Sequence, residues 1–207
     1  MITESDLAYL HEAVALAERG LFTTTPNPRV GCVIVRDGLV LGRGWHRWPG
    51  QAHAEINALR DAGGDVAGAT VYVSLEPCTV YGRTPPCVDA LVAAGVKRVV
   101  AGASDPDSRV NGRGFERLGA AGIECEKFRP HCMLLDMHLG DVKGEDILKL
   151  VRSNSDLSLT KVIAMSGKLT DGQAQHLMHN GFDGYLKKPF HVRQVVETVE
   201  DAVAIVY

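Results

Sequence analysis

The chain has 207 residues, a formal net charge of −3 and 45% hydrophobic residues, which fits a globular protein of one large or two small domains. No basic excess marks a nucleic-acid surface, and no apolar run approaches the length of a membrane span. The N-terminus lacks the basic-then-apolar plan of a secretion leader, and the five cysteines are an odd number. A reducing, cytoplasmic setting is therefore expected, with Cys32, Cys125 and Cys132 as small buried hydrophobes.

Residues 5–20 predict an amphipathic helix capped by Ser5, with Leu7, Leu10, Val14 and Ala17 on one face and Gly20 as the stop. Residues 31–35 and 39–45 predict two strands joined by the hairpin signal Asp37-Gly38. A helix over 52–62 opens on His53, a strand covers 70–75, and a helix covers 86–94. Strand, helix and strand follow at 98–103, 114–121 and 123–126. From about Lys127 the character changes: strand 131–136, helix 144–152, strand 161–165, helix 170–179, strand end 184–186 and helix 192–203. The boundary near 126–130 is too tight for a flexible linker. Such alternation argues for an α/β layered sheet.

The strongest chemical signal is His53-Ala54-Glu55 followed by Pro77-Cys78 and Pro86-Cys87. Any one of these residues alone is more often a satisfied core group; the four together are not. One His and two Cys leave the fourth tetrahedral position of a zinc ion to water, whereas a structural site presents four protein ligands, and no fourth stands at a matching spacing. Glu55 stands where it can shuttle protons without occupying the metal. This set suits replacement of an amino group on a nucleobase-like ring. Both ligand segments fall at predicted helix starts, where partial positive charge favours thiolate over thiol.

Thr25-Pro26-Asn27-Pro28, Val30-Gly31-Cys32-Val33-Ile34-Val35, Gly44-Trp45-His46, the two ligand segments (with Glu76 before Pro77 and Gly82-Arg83-Thr84-Pro85 before Pro86) and Gly112-Arg113-Gly114 form one further pattern. With it, residues 1–126 resemble the pyrimidine deaminase domain of riboflavin biosynthesis, within the cytidine deaminase-like superfamily. The eight residues between Cys78 and Cys87 exclude the compact Pro-Cys-x-x-Cys spacing of tRNA-adenosine and cytidine deaminases. The resemblance implies a three-layer α/β domain that uses Zn2+ on His53, Cys78 and Cys87 to deaminate diaminohydroxyphosphoribosylaminopyrimidine hydrolytically. It implies that Glu55 takes the water proton, protonates the ring nitrogen and assists ammonia departure, with backbone amides beside Cys78 and Cys87 holding the reacting oxygen. Asn27 would bond the ring, and His46 and Arg83 would lie near the substrate or its phosphate. On the residues alone, Asn27 is equally a turn residue between prolines, Arg83 a solvated loop charge and His46 a surface strand end. The superfamily also implies a homo-oligomer, because sites are often completed between subunits. The family carries His where Val80 stands and Asn-Pro where Asp107-Ser108 stand, so slower turnover of the phosphorylated substrate is expected. The family's reductase domain does not follow.

Instead, Leu134-Leu135-Asp136-Met137, Gly144, Met165-Ser166-Gly167 and Tyr185-Leu186-Lys187-Lys188-Pro189-Phe190 resemble the second half of a response-regulator receiver domain, a partial flavodoxin-like βα segment. That resemblance implies Asp136 as phosphoacceptor, Ser166 and Lys188 as phosphoryl contacts and Tyr185 as the switch aromatic. The receiver's acidic Mg²⁺ pair is missing from this half. Asp105 and Asp107 could stand in for it, but an acidic turn already belongs to the deaminase pattern there. Residues 127–130 are too few for a crossover helix between parallel strands, so the site is expected to be vestigial and incompetent for phosphorylation. The orphan first strand is expected to expose an apolar edge, pairing beside residues 123–126 or with another chain. The reading is a zinc-dependent deaminase over 1–126 and a receiver fragment over 127–207, acting on a small pyrimidine nucleotide without nucleic-acid or membrane partners. The alternative is a chimera, engineered or recombined, or a signalling module in which the receiver part regulates or oligomerises a weak or inactive deaminase.

Overall fold

The structure is a computed structural model describing residues 2–107, 109–167 and 171–204. The chain divides into two compact units, Met1–Phe128 and Arg129–Tyr207.

The first unit runs α1 (Glu4–Glu18), β1 (Gly31–Arg36), β2 (Leu39–Trp45), α2 (Ala54–Ala62), β3 (Thr70–Val73), α3 (Cys87–Ala93), β4 (Arg98–Ala101), α4 (Arg113–Ala120) and β5 (Glu124–Lys127). Its sheet has the order β2-β1-β3-β4-β5. β1 pairs antiparallel with β2 and β3, whereas β3, β4 and β5 are parallel. Asp37 and Gly38 both take positive φ, 54° and 76°, as the expected two-residue hairpin turn requires. Both faces of the sheet are covered, so β1 reads as a continuous apolar run rather than an alternation. Val33 and Val35 pack with Tyr72 and Val100 under Leu10, Ala13 and Leu16 of α1. Cys32 and Ile34 face the other way, onto Ala54 and Ala58 of α2 and Val88 and Leu91 of α3.

α1 is capped by Thr3, not Ser5. The Thr3 side chain accepts from the Asp6 amide while Asp6 accepts from the Thr3 amide, a reciprocal box that Ser5, with Ala8 three residues on, could not form. Its buried face is Asp6, Leu10, Ala13, Leu16 and Ala17; Val14 is exposed and Leu7 only half-buried. Asp6 is buried at 3% exposure and ties several elements together. It accepts from Tyr72 Oη at 2.7 Å and from Arg98 Nη1 and Nη2 at 2.7 and 3.1 Å, and Arg98 also pairs with Glu126. Burial alone would raise the Asp6 carboxyl, but Arg98, Thr3 and Tyr72 outweigh it and hold it well below the usual carboxylate range. A depressed native value stabilises the fold above the unfolded value near 3.8 and that contribution is lost as pH falls below it. Asp6→Ala is expected to cost about 3 kcal/mol at neutral pH, with the gap closing in acid. Urea unfolding of both proteins at neutral and acid pH checks this; equal stability at neutral pH would contradict it.

Helix α2 carries the site, and two glycines set its seat. A Cβ on Gly44 would lie 2.2 Å from Ala54 O and one on Gly42 2.3 Å from Ala58 O. Only glycine lets α2 lie this close on β2.

The second unit contains β6 (Cys132–Asp136), the short hairpin β7 (His138–Leu139) and β8 (Val142–Lys143), α5 (Gly144–Ser153), β9 (Lys161–Ser166), α6 (Asp171–His179), β10 (Gly184–Lys187) and α7 (Val192–Ala204). Thr170, the expected start of α6, lies outside the described residues. β10, β9 and β6 form a parallel sheet in that order. Leu148, Val151 and Leu177 cover one face with Val162 and Ala164, and α7 covers the other through Ala202, Val195 and Val199 against Ile163 and Leu186. Within this unit β6 is hydrogen-bonded to β9. The β7–β8 hairpin around Gly140 was not anticipated. All five cysteines are free, and Cys125 and Cys132 are half-buried rather than buried. Among the described residues no helix is long and apolar enough to cross a membrane.

Candidate active site

His53 is the N-cap of α2, in extended conformation and with no capping bond from its side chain, so its ring is free to face the cysteines. Its Nδ1 lies 3.5 Å from Cys78 Sγ and 3.4 Å from Cys87 Sγ. Among the described residues these three form the one group suited to a metal ion, with ligand atoms within 4.8 Å of one another. Tetrahedral zinc bonds of about 2.1 Å to nitrogen and 2.3 Å to sulfur separate such atoms by about 3.6 Å. The residues fit that ion.

Electrostatics splits the two cysteines. Cys78 is pulled well below an ordinary thiol, by the Cys87 S–H first, against burial, and then by His53 and the Cys87 amide. Cys87 moves the other way, because its thiol donates to Cys78 and is buried beside Glu55. The Cys87 amide, expected to hold a reacting oxygen, donates to Cys78 Sγ at 3.4 Å. His53 is raised, by its bond to Cys78 first.

Glu55 sits in the first turn of α2, buried at 3% exposure. Burial, then the charge on Cys78, pushes its carboxyl up to about 7, the range in which one group can both give and take a proton at neutral pH. Beside it opens a cavity of about 530 Å³ whose walls include Asn27, His46, His53, Glu55, Cys78 and Asp105. A second hollow of about 360 Å³ shares Asn27, His53, Cys78 and Val80 and extends to Arg83. Arg83 lies over Gly50, where a Cβ would stand 3.0 Å from its Cδ and Nη1. His46 is buried, not a surface strand end, and its ring meets that of His53 edge-on with centroids 5.3 Å apart. Burial lowers its proton affinity, with His53 adding to the effect.

Two residues do more at this site than the sequence indicates. Glu76 is buried at 3% exposure and accepts from the amides of Asp105, Gly112 and Gly114 at 3.2, 3.0 and 2.8 Å. It thereby fastens the loop after β4 to the Pro77-Cys78 segment. Its place before Pro77-Cys78 was the only signal for it. Asp105 reads as a turn residue but lines the cavity. Asp107, a departure from the family pattern, is clamped by Arg109 through the amide, Nε and Nη2 at 2.9, 3.0 and 2.6 Å; Ser108 lies outside the described residues.

In the second unit, Asp136 ends β6 and forms an ion pair with Lys188. That cation first, then the His138 amide, holds its carboxyl below the ordinary value. Ser166 ends β9, one residue beyond Met165, the register partner of Asp136. Tyr185 is exposed.

The profile of the cytidine and deoxycytidylate deaminase zinc-binding region matches residues 3–103, and that of the response regulator receiver domain matches residues 97–200. The receiver match thus reaches back over β4, α4 and β5, whose strands belong to the first unit's sheet. Riboflavin biosynthesis protein RibD of Escherichia coli (strain K12) is 59% identical over 119 residues, which are 58% of this chain and 32% of that protein. The chain therefore spans about a third of that relative's length. Diaminohydroxyphosphoribosylamino-pyrimidine deaminase of Buchnera aphidicola subsp. Acyrthosiphon pisum (strain APS) is 48% identical over 119 residues, covering 58% of this chain and 81% of that protein. Among solved structures, Acinetobacter baumannii RibD (form 1) aligns with a TM-score of 0.59 and 29% identity over 95% of this chain and 77% of its own. Through its first unit the chain belongs to the diaminohydroxyphosphoribosylamino-pyrimidine deaminase family and, across residues 97–200, to the response regulator receiver family.

Proposed function

We propose that the first unit is a zinc-dependent deaminase that hydrolyses the exocyclic amine of diaminohydroxyphosphoribosylaminopyrimidine, in riboflavin biosynthesis. The observation that carries this is the convergence of His53 Nδ1, Cys78 Sγ and Cys87 Sγ beside a buried carboxyl on the wall of one cavity. Zinc held by these three residues supplies a Lewis acid that makes water nucleophilic near neutral pH. Glu55 moves the protons. Its carboxylate takes one from the attacking water, passes it to the ring nitrogen, and delivers the next to the departing amine, so that water and amine become carbonyl and ammonia. Asn27 holds the ring, His46 lies near the substrate, and Arg83, in the second hollow, faces the phosphate. Arg109 offsets the charge of Asp107, which leaves Val80 as the departure that bears most on phosphorylated substrate. Ammonia release from diaminohydroxyphosphoribosylaminopyrimidine and from dCMP is the test. Release from the former alone is expected; release from dCMP alone would overturn the substrate.

The second unit is proposed to be a receiver fragment that does not take up phosphate, in a fusion that acts as a cytoplasmic homo-oligomer. What supports this is that Asp136 is already paired with Lys188, and that Asp105 and Asp107 line the deaminase cavity. Without a cation to neutralise the transferring phosphoryl group, transfer is not assisted. Acetyl phosphate with Mg²⁺ is expected to leave Asp136 unlabelled by mass spectrometry. Label that disappears in Asp136→Ala would favour the signalling reading instead.

A further inference from the structure

A third hollow, of about 740 Å³, opens between α2 and the start of α3. It shares no lining residue with the cavity beside Glu55, and meets the second hollow only at Gln51 and Thr84. Its size suits a small organic molecule rather than a bare ion. The floor is apolar, with Ala52, Ile56, Pro86 and Ala90 all buried or half-buried. The rim is cationic. Arg47 and Arg60 are both exposed there, and among the described residues neither pairs with a carboxylate, whereas Arg36, Arg43, Arg98, Arg109 and Arg117 of the same unit all do. The carboxylates at hand are already engaged: Asp89, on the wall, pairs with Arg117, and Asp61 accepts from the Arg43 amide at 2.8 Å. The Arg47 guanidinium lies 4.5 Å from the centroid of the Trp45 ring, a stacking that orders it before any ligand arrives. Asn57 commits its Nδ2 to Trp45 O and Ala52 O at 2.9 and 3.2 Å, which leaves Oδ1 as an acceptor.

We propose that this hollow is a second ligand site, separate from the reaction, that takes a small organic phosphate with its planar ring on Ile56 and Pro86 and its phosphate between Arg47 and Arg60. Guanidinium groups meet phosphate oxygens as a fork, two bonds at a time, and a dianion answers both cations where a single carboxylate answers one. Gln51 and Thr84 add neutral donors, and Asn57 Oδ1 accepts from a ring N–H or a sugar hydroxyl. Inorganic phosphate would meet the arginines but leave the floor wet. A nucleoside would cover the floor but leave the two cations without an anion. A ligand with both parts binds more tightly than either part.

The test is calorimetric titration of the full chain with adenosine 5′-monophosphate, adenosine and inorganic phosphate. The monophosphate is expected to bind at least about tenfold more tightly than either of the others. Arg47→Ala and Arg60→Ala are each expected to weaken it by about tenfold or more, with thermal unfolding unchanged because both side chains are exposed. Arg83→Ala is expected to leave that affinity as it was. Equal affinity for monophosphate and adenosine, or monophosphate binding that survives removal of both Arg47 and Arg60, would overturn the site. Binding lost in Arg83→Ala but kept in Arg47→Ala would place the probe in the second hollow and overturn it equally. Ammonia release is read on the same samples: a chain that binds the monophosphate through Arg47 and Arg60 yet releases no ammonia keeps this site and sinks the reaction.

Discussion

Glu55→Gln is expected to lower kcat for ammonia release by about 10²- to 10⁴-fold while leaving zinc content and KM close to wild type. Glutamine has the volume of glutamate and preserves the packing of a residue only 3% exposed, but it cannot carry a proton from water to the ring. The environment of the carboxyl supports the assignment. Burial and the neighbouring Cys78 lift it to about 7, whereas a carboxylate with a purely structural task is ordinarily held low by cations, as Asp6 is by Arg98. Steady-state kinetics with metal analysis on the same samples checks the prediction. A loss smaller than about tenfold would remove Glu55 from the chemistry.

Cys87→Ser is expected to weaken zinc binding by at least about 100-fold and to abolish ammonia release at limiting zinc. The thiolate is the group that binds, and Cys87 is fully buried, with its thiol directed at Cys78 and Glu55. A serine hydroxyl there offers a poor ligand without enlarging the site. The main sheet core is formed by residues such as Ile34, Val71, Val99 and Leu91, so unfolding transitions of the metal-free proteins are expected to be similar. Chelator competition gives the affinity. Unchanged zinc retention would mean that Cys87 is not a ligand.

The grouping of His53, Cys78 and Cys87 was legible because spacing and side-chain type together suit a metal ion before any fold is known, and the three side chains do lie together. The Asp37-Gly38 turn was legible for the same reason: its backbone demand is local. What depended on tertiary contact was not. Thr3 and Ser5 both satisfy a capping preference, and only the reciprocal bond with Asp6 decides between them. Val14 fits a helical stripe, yet α1 turns Ala13 and Leu16 to the sheet, because Asp6 must reach Arg98. Glu76 looks like any acidic residue before a proline until the chain folds three backbone amides from one loop onto it. His46 ends a strand in sequence but is sealed between Ala52 and Asn27 in space. In the second unit Asp136, Ser166 and Lys188 were readable as a set, whereas the partner of β6 was not, since a strand's neighbours depend on the whole sheet.

Ammonia release titrated against zinc on the full chain, with diaminohydroxyphosphoribosylaminopyrimidine as substrate, tests the assignment of the site most directly. One zinc per chain and a rate that rises in proportion to occupancy until the site is filled is the expected result. Ammonia from zinc-free protein, or none from the zinc-loaded chain, would contradict it.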